Sequence, residues 1–307
     1  MNKDLRIVYM GTPDFAVPSL EVLVTEGWNV VAVITAPDRP KGRGQKLIPS
    51  SVKEAALRYQ IPVLQPTNLK SEDFWEELKG YSADIQVVVA FRMLPEVVWN
   101  MPPLGTFNLH ASLLPNYRGA APINWAIING EIETGATTFF LKHEIDTGSI
   151  IFQEREPIYP EDNVGTLYER LMQKGARLVL KTIEAVASGN ITSKPQEEFP
   201  NLRHAPKIFK ETCEIDWNKS AEEIHNLVRG LSPYPTAWTI FQGKICKIYK
   251  TEVLNKDQSN LESGEFLSDG KTNLIFQTGK GNLKILELQL EGKKRMGIEE
   301  FLRGNKV

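Results

Sequence analysis

Short, uninterrupted apolar runs alternate with amphipathic stretches through the first 188 residues of the chain. Leu5 to Met10, Asn29 to Thr35, Ile85 to Phe91, Gly105 to Leu109, Ala136 to Leu141 and Ile150 to Arg155 read as strands. In the first three the apolar character is nearly continuous rather than alternating, which requires burial on both faces. Between them, Pro13 to Glu26, Ser51 to Gln60, Ser71 to Gly80, Pro122 to Asn129 and Asn163 to Ser188 carry helical spacing. Strands buried on both faces and alternating with helices predict a doubly wound, mostly parallel sheet covered by helices on each side.

Near Gly189 the pattern changes. Residues 189–209 hold Gly, Pro, Asn and Ser without strong periodicity and read as a linker. Beyond them a helix from Ser220 to Leu231 precedes short strands at Trp238 to Phe241, Ile245 to Tyr249, Gly264 to Leu267, Asn273 to Gln277 and Leu283 to Gln289. Short strands separated by turn residues predict a small antiparallel barrel. The expected division is therefore a body at 1–189, a linker at 190–207 and a β-domain at 208–307. A length of 307 residues agrees with two domains.

Composition removes several classes. The two cysteines, Cys213 and Cys246, form no C-x-x-C pair, which excludes a disulfide framework and a cysteine-rich zinc module. No apolar run approaches the roughly 20 residues that span a bilayer. The opening segment MNKDLRIVYMG is too short for a secretory core and runs directly into a strand pattern, so a soluble, cytoplasmic protein without membrane contact is expected. The formal net charge of −2 advertises no polyanion partner, and any such site must arise from local charge.

Local charge is concentrated in PDRPKGRGQKLIPSSVK, where Arg39, Lys41, Arg43, Lys46 and Lys53 face only Asp38, a local charge of +4. The segment is long for a connection in a compact domain, and its two glycines suggest mobility. It reads either as a solvated basic loop or as a contact for a phosphate backbone. Its place after the second strand favours the second reading. The turn GTPDFA after the first strand has one glycine and a proline, so it is neither a dinucleotide fingerprint nor a P-loop.

Asn108 and His110 end the fourth strand two residues apart and therefore share a face. The carboxyl edge of a parallel sheet is where open α/β folds place ligands. The loop that follows, ASLLPNYRG, sets Leu113 and Leu114 where they can line an apolar slot or simply anchor the loop. HEIDTG, between two later strands, reads as an Asx turn or as a second contributor to the site. A metal site made from His110, His143 and Asp146 is not expected, because their spacing fits no helical ligand pattern.

GTPDFAVPSL, the basic segment, FNLHASLLPNYRGAAPINWAIINGE, TGATTFF and IDTG, in this order, resemble the methionyl-tRNA formyltransferases over essentially the whole chain. The resemblance implies a Rossmann-like catalytic domain followed by an OB-like barrel that holds tRNA. It implies formyl transfer from 10-formyltetrahydrofolate, as co-substrate, to the amino group of methionyl initiator tRNA, with no metal. Asn108 and His110 would donate hydrogen bonds to the oxyanion of a tetrahedral intermediate, and Asp146 would orient His110 or a water and shuttle the proton from the attacking amine to the folate nitrogen. Ser112, Leu113, Leu114 and Pro115 would bind the folate. Phe91 and Arg92 stand where many relatives have Tyr-Gly, with Arg92 expected at the pocket edge near the folate glutamate tail. Arg39, Lys41, Arg43 and Lys46 would meet the acceptor stem, with Arg43 central. A monomer is expected, since nothing demands a dimer.

Two other readings share parts of this pattern. A formyltransferase acting on a UDP-linked amino sugar would keep the Asn-His-Asp set, although that group lacks the basic insertion. A catalytically inactive tRNA-binding relative would keep the fold, although the intact Asn108, His110 and Asp146 argue against it. Glycinamide ribonucleotide formyltransferases are shorter and carry a glycine-rich loop after the first strand. Formyltetrahydrofolate dehydrogenases need further domains.

Overall fold

The computed structural model describes residues 3–41, 46–198, 200–254 and 261–305. Along the chain come β1 (Ile7–Gly11), α1 (Val17–Thr25), β2 (Val30–Ile34), β3 (Arg39–Lys41), β4 (Lys46–Ile48), α2 (Ser51–Arg58), β5 (Val63–Leu64), α3 (Glu72–Gly80), β6 (Ile85–Val89), α4 (Glu96–Trp99) and β7 (Thr106–His110). Next are β8 (Arg118–Gly119), α5 (Pro122–Ile128), β9 (Glu133–Phe140), β10 (Ile150–Pro157), α6 (Val164–Ala187), β11 (His204–Ala205) and α7 (Ala221–Leu231). The chain ends with β12 (Ala237–Phe241), β13 (Lys244–Leu254), β14 (Phe266–Ser268), β15 (Leu274–Gln277), β16 (Asn282–Leu290), β17 (Met296–Gly297) and α8 (Ile298–Gly304).

Two compact units emerge. One comprises Met1–Gly119, Gly135–Glu156 and Tyr168–Arg203; the other comprises Ala120–Thr134, Pro157–Leu167 and His204–Val307. The first is built on a seven-stranded sheet of order β10-β9-β7-β6-β1-β2-β5. Strands β1, β2, β5, β6 and β7 run parallel, and β9 joins β7 antiparallel. The sheet is thus mostly parallel, with the antiparallel addition beside β7.

The continuous apolar runs explain the layering. Every residue of β1 and of β6 is buried. On one face Val8, Met10, Ala32, Ile34 and Val88 pack with Phe74 and Leu78 of α3 and Val98 of α4. The alternate residues Ile7, Tyr9, Val33 and Val87 face the other way and are equally buried. A side chain on α6 would crowd this packing at Gly175, where an added Cβ would lie 2.6 Å from Leu109 Cδ2.

The basic segment holds more structure than its composition suggests. β3 and β4 pair as an antiparallel hairpin, with Arg39 opposite Ile48 and Lys41 opposite Lys46. Its base is tied by a ring of bonds. Lys53 Nζ donates to Asp38 Oδ2 and to Gln65 Oε1, each at 2.7 Å, and Gln65 Nε2 donates to Asp38 Oδ1 at 2.8 Å. Lys53 therefore anchors the hairpin rather than adding a free cation to it.

In the second unit, Ser220 caps α7 through a capping box with Glu223. The antiparallel strands run in the order β12-β13-β16-β15-β14, with β17 on β16. The two ends of this order meet through their side chains. Phe241 of β12 lies 5.1 Å from Phe266 of β14, and Phe276 of β15 and Phe301 of α8 complete the aromatic cluster. The sheet is thus curled into the expected OB-like form and closed by rings. Cys213 and Cys246 are buried in this core as small apolar residues, and burial pushes the Cys246 thiol up to about 12.

Candidate active site

The site grows from the end of β7. Its register sets Asn108 opposite Val88 of β6 and Phe139 of β9, and His110 opposite Thr137. His110 is buried, whereas Asn108 is half-buried and its side-chain amide makes no hydrogen bond among the described residues. An amide held on a strand with free N–H groups is a ready donor for a ligand oxygen.

His110 is held by the loop that follows it. Its Nε2 lies 2.8 Å from the carbonyl oxygen of Tyr117. A carbonyl only accepts, so Nε2 carries a proton, and Nδ1 is the atom turned toward Asp146. Nδ1 lies 3.9 Å from Asp146 Oδ2, too far for a direct hydrogen bond. That same carboxylate oxygen accepts the Gly119 N–H at 3.0 Å.

This geometry needs unusual backbone. Ala90, Tyr117 and Asp146 have positive φ values of 47°, 62° and 56°. Non-glycine residues in this region are uncommon and cluster at functional sites. Two residues beyond Asp146, Gly148 cannot be replaced without movement, because an added Cβ would sit 1.6 Å from the Phe140 carbonyl oxygen. The Asp-x-Gly spacing thus has a steric reason: the loop crosses directly over the end of β9.

The loop 112–115 is pinned mainly by its own polar groups. Ser112 is fully buried and its hydroxyl donates to Asn116 O at 2.7 Å. Thr137 Oγ1 donates to Ser112 O and accepts from Leu114 N. Gln153 Nε2 donates to Leu114 O at 2.8 Å. Ser112 therefore shapes the loop, while Leu113 and Pro115 are half-buried and Leu114 is buried. Leu113 rests against Gly135, where a Cβ would lie 2.5 Å from Leu113 Cδ2 and 2.2 Å from Glu154 O.

Phe91 and Arg92 follow β6, on the neighbouring strand end. Phe91 packs partly against the sheet core, and the Arg92 guanidinium lies 5.5 Å from its ring centre. Arg92 donates to the carbonyl oxygens of Pro66 and Thr67. Burial, followed by the nearby charge of Arg39, lowers the guanidinium's proton affinity from its ordinary value. Arg39 is exposed at the start of the hairpin. Arg43 lies outside the described residues, as do the side chains of Lys41 and Lys46.

His143 is exposed and pairs with Glu96 at 3.6 Å, so it stands apart from His110 and Asp146. Among the described residues there is no group of three or more His, Cys, Asp or Glu side chains able to hold a metal. Nor does any described helix have the length and apolarity to cross a membrane.

Several contributors had no signature in the sequence. Tyr117 and Gly119 act through main-chain atoms, and Thr137 and Gln153 through bonds to the 112–115 loop. Gln196 belongs to the stretch read as a linker, yet its amide bonds to the Asp146 loop. Nothing local marks such residues, because Tyr117 acts through its main chain and the partners of the others lie 23 to 50 positions away.

Comparison with known proteins bears directly on this arrangement. Residues 5–183 match the formyl transferase family model, and residues 207–306 match that of the formyl transferase C-terminal domain. The methionyl-tRNA formyltransferase of Bacteroides fragilis is 56% identical over 311 residues, covering 99% of this chain and 96% of that protein. The chain belongs to the methionyl-tRNA formyltransferase family. The family member from Phocaeicola vulgatus is 58% identical over 314 residues, with 99% and 96% coverage. Among solved structures, HypX from Aquifex aeolicus in complex with tetrahydrofolic acid aligns with a TM-score of 0.66 at 17% identity, covering 97% of this chain and 47% of that one. WlaRD, a sugar 3N-formyl transferase solved with dTDP and 5-N-formyl-THF, aligns with a TM-score of 0.69 at 21% identity, covering 94% and 99%. At these identities the likeness is one of fold.

Proposed function

We propose that this methionyl-tRNA formyltransferase works through Asn108, His110 and Asp146 at the carboxyl end of β7. The enzyme transfers the formyl group of 10-formyltetrahydrofolate to the amino group of methionyl initiator tRNA. The observation that carries the residue assignment is that Asn108, whose amide makes no hydrogen bond among the described residues, shares a strand face with His110, whose Nδ1 lies 3.9 Å from the Asp146 carboxylate.

The chemistry follows from these groups. The methionyl amine attacks the formyl carbon, a C–N bond forms and the carbonyl oxygen becomes an oxyanion. Asn108 donates to that oxygen from its amide. His110 can add a second donor from Nδ1 only as the imidazolium, because Nε2–H is committed to Tyr117 O. The Asp146 carboxylate, 3.9 Å from Nδ1, takes the proton the attacking amine must lose. Collapse breaks the bond to the folate nitrogen, which receives the proton. No covalent link to the protein is required.

The half-buried Leu113 and Pro115, with Phe91, offer the apolar edge that a folate ring system requires, and Arg92 offers a cation at the rim for its glutamate tail. Ser112 serves this edge through the loop it shapes. The basic segment with Arg39, Lys41, Arg43 and Lys46 meets the tRNA phosphates. Residues 1–189 form the catalytic domain, residues 190–207 link it onward, and residues 208–307 form the OB-like platform for the tRNA backbone. The protein acts in the cytoplasm as a monomer.

The test is formyl transfer to methionyl initiator tRNA, elongator methionyl-tRNA and a UDP-linked amino sugar, with wild type and Asp146→Asn. The wild type is expected to formylate the initiator alone. The variant is expected to fold and bind tRNA while losing about two to four orders of magnitude in turnover. Near-normal turnover of the variant would remove Asp146 from the chemistry, and transfer to the sugar would refute the acceptor.

A further inference from the structure

Gln196 lies half-buried in the irregular stretch after α6, 50 residues from Asp146 in sequence. Its Nε2 donates to Asp146 O at 2.7 Å and to Gly148 O at 2.9 Å. Its Oε1 accepts from Arg118 Nη2 at 2.8 Å and from Arg118 Nε at 3.1 Å. The orientation of the amide is forced, since the two carbonyls only accept and the guanidinium only donates.

The neighbouring chain reinforces this contact. Lys194 and Ile150 exchange backbone hydrogen bonds at 2.7 and 2.8 Å, so residues 194–196 run beside the end of the Asp146 loop. Arg203 N donates to Asn116 Oδ1 at 3.1 Å, and Tyr117 N donates to Arg203 O. One segment thus braces both sides of the site: the loop bearing Asp146 and the loop whose Tyr117 carbonyl holds His110.

We infer that Gln196 is a positioning residue for formyl transfer: its amide joins Arg118 to the Asp146–Gly148 backbone and so sets the Asp146 carboxylate against His110. The inference rests on the roles given above to Asp146 and His110. Asp146 has a φ of 56°, a conformation that needs external support, and Gln196 bonds to the carbonyl of that same residue. Only a side-chain amide supplies both a twofold donor and an acceptor in one planar group. A glutamate at this position would keep the bond to Arg118 and lose both bonds to the loop. Arg118 precedes Gly119, whose N–H holds the Asp146 carboxylate, so Gln196 bonds both to the backbone that bears Asp146 and to the side chain next to that donor.

The experiment compares wild type, Gln196→Glu, Gln196→Leu and Asp146→Asn in steady-state formyl transfer, with KM for 10-formyltetrahydrofolate and for methionyl initiator tRNA, and with thermal unfolding. Both Gln196 variants are expected to lose 10- to 100-fold in kcat with each KM within about threefold of wild type. Their unfolding midpoints are expected within a few degrees of wild type. Unchanged kcat in both variants, with Asp146→Asn inactive, would overturn the inference while leaving the reading of Asp146 intact. A parallel fall in kcat, both affinities and the unfolding midpoint would overturn it in favour of a general brace. Full turnover by Asp146→Asn would instead remove the reading on which the inference stands.

Discussion

Replacing Gly148 by alanine tests whether the Asp146 loop is held by its crossing over β9. The added Cβ would lie 1.6 Å from Phe140 O and 2.8 Å from Phe140 C, both backbone atoms. Phe140 is paired with Phe107 in the sheet and cannot yield, so the loop must move. Reaching a contact of 3.0 Å requires at least 3.0 − 1.6 = 1.4 Å of displacement. Transmitted to the carboxylate, that would stretch the 3.9 Å separation from His110 Nδ1 to about 5 Å. Misplacement of a reacting group by about 1 Å costs on the order of 100-fold in rate. Gly148→Ala should therefore lower single-turnover formyl transfer by about 100-fold. The Phe140 N–Ser149 O bond and the Gln196 bonds are disturbed as well, so stability should fall by about 1–3 kcal/mol in urea unfolding. A variant that transfers formyl within threefold of the wild-type rate would refute the argument that this crossing positions Asp146.

Gly135→Ala should push Leu113 out of its seat, raising KM for 10-formyltetrahydrofolate more than it lowers kcat; an unchanged folate KM would detach Leu113 from the donor site. Arg43→Ala should weaken productive tRNA engagement and reduce the slope of log affinity against log salt by about 0.7–0.9, as expected for one lost phosphate contact. An unaltered slope would return the basic segment to its reading as a solvated loop. The Asp38 carboxyl is held below the ordinary carboxylate range, first by its hydrogen bond from Lys53 and then by that from Gln65. A lowered folded value contributes stability that is complete above about pH 4, the unfolded value, and is lost as the pH falls through the lowered one. The stability difference between wild type and Asp38→Asn should thus be constant from pH 7 to about 5 and shrink below about pH 4. A difference that persists undiminished at low pH would show that the anchor owes nothing to the carboxylate charge.

Short-range pattern was enough for the layers. The runs at β1 and β6 are continuous because both faces are buried, and that can be read without knowing the neighbours. The two-residue period of a strand puts Asn108 and His110 on one face wherever β7 lies in the sheet. Ser220 and Glu223 mark the start of α7 because a capping box closes within four residues.

Tertiary contact decided the rest. Lys53 counted as a cation of the basic segment until Asp38 and Gln65 claimed it, which also makes a tied hairpin of what reads as a loop. Ser112 reads as a ligand contact but spends its hydroxyl on Asn116 O, and His110 Nε2 is committed to a carbonyl that no pattern marks. Gln196 sits in a stretch without periodicity and meets Asp146 only because the folded chain returns there. The physical difference is one of range. Periodicity and caps are energies between residues a few positions apart, so the sequence alone determined where strands β1, β2, β6 and β7 and helices α1, α2, α3, α5, α6 and α7 form, and which strand end bears Asn108 and His110. Partner choice among polar groups depends on which distant segments the core brings together, so only the folded chain decided which of them are free to act.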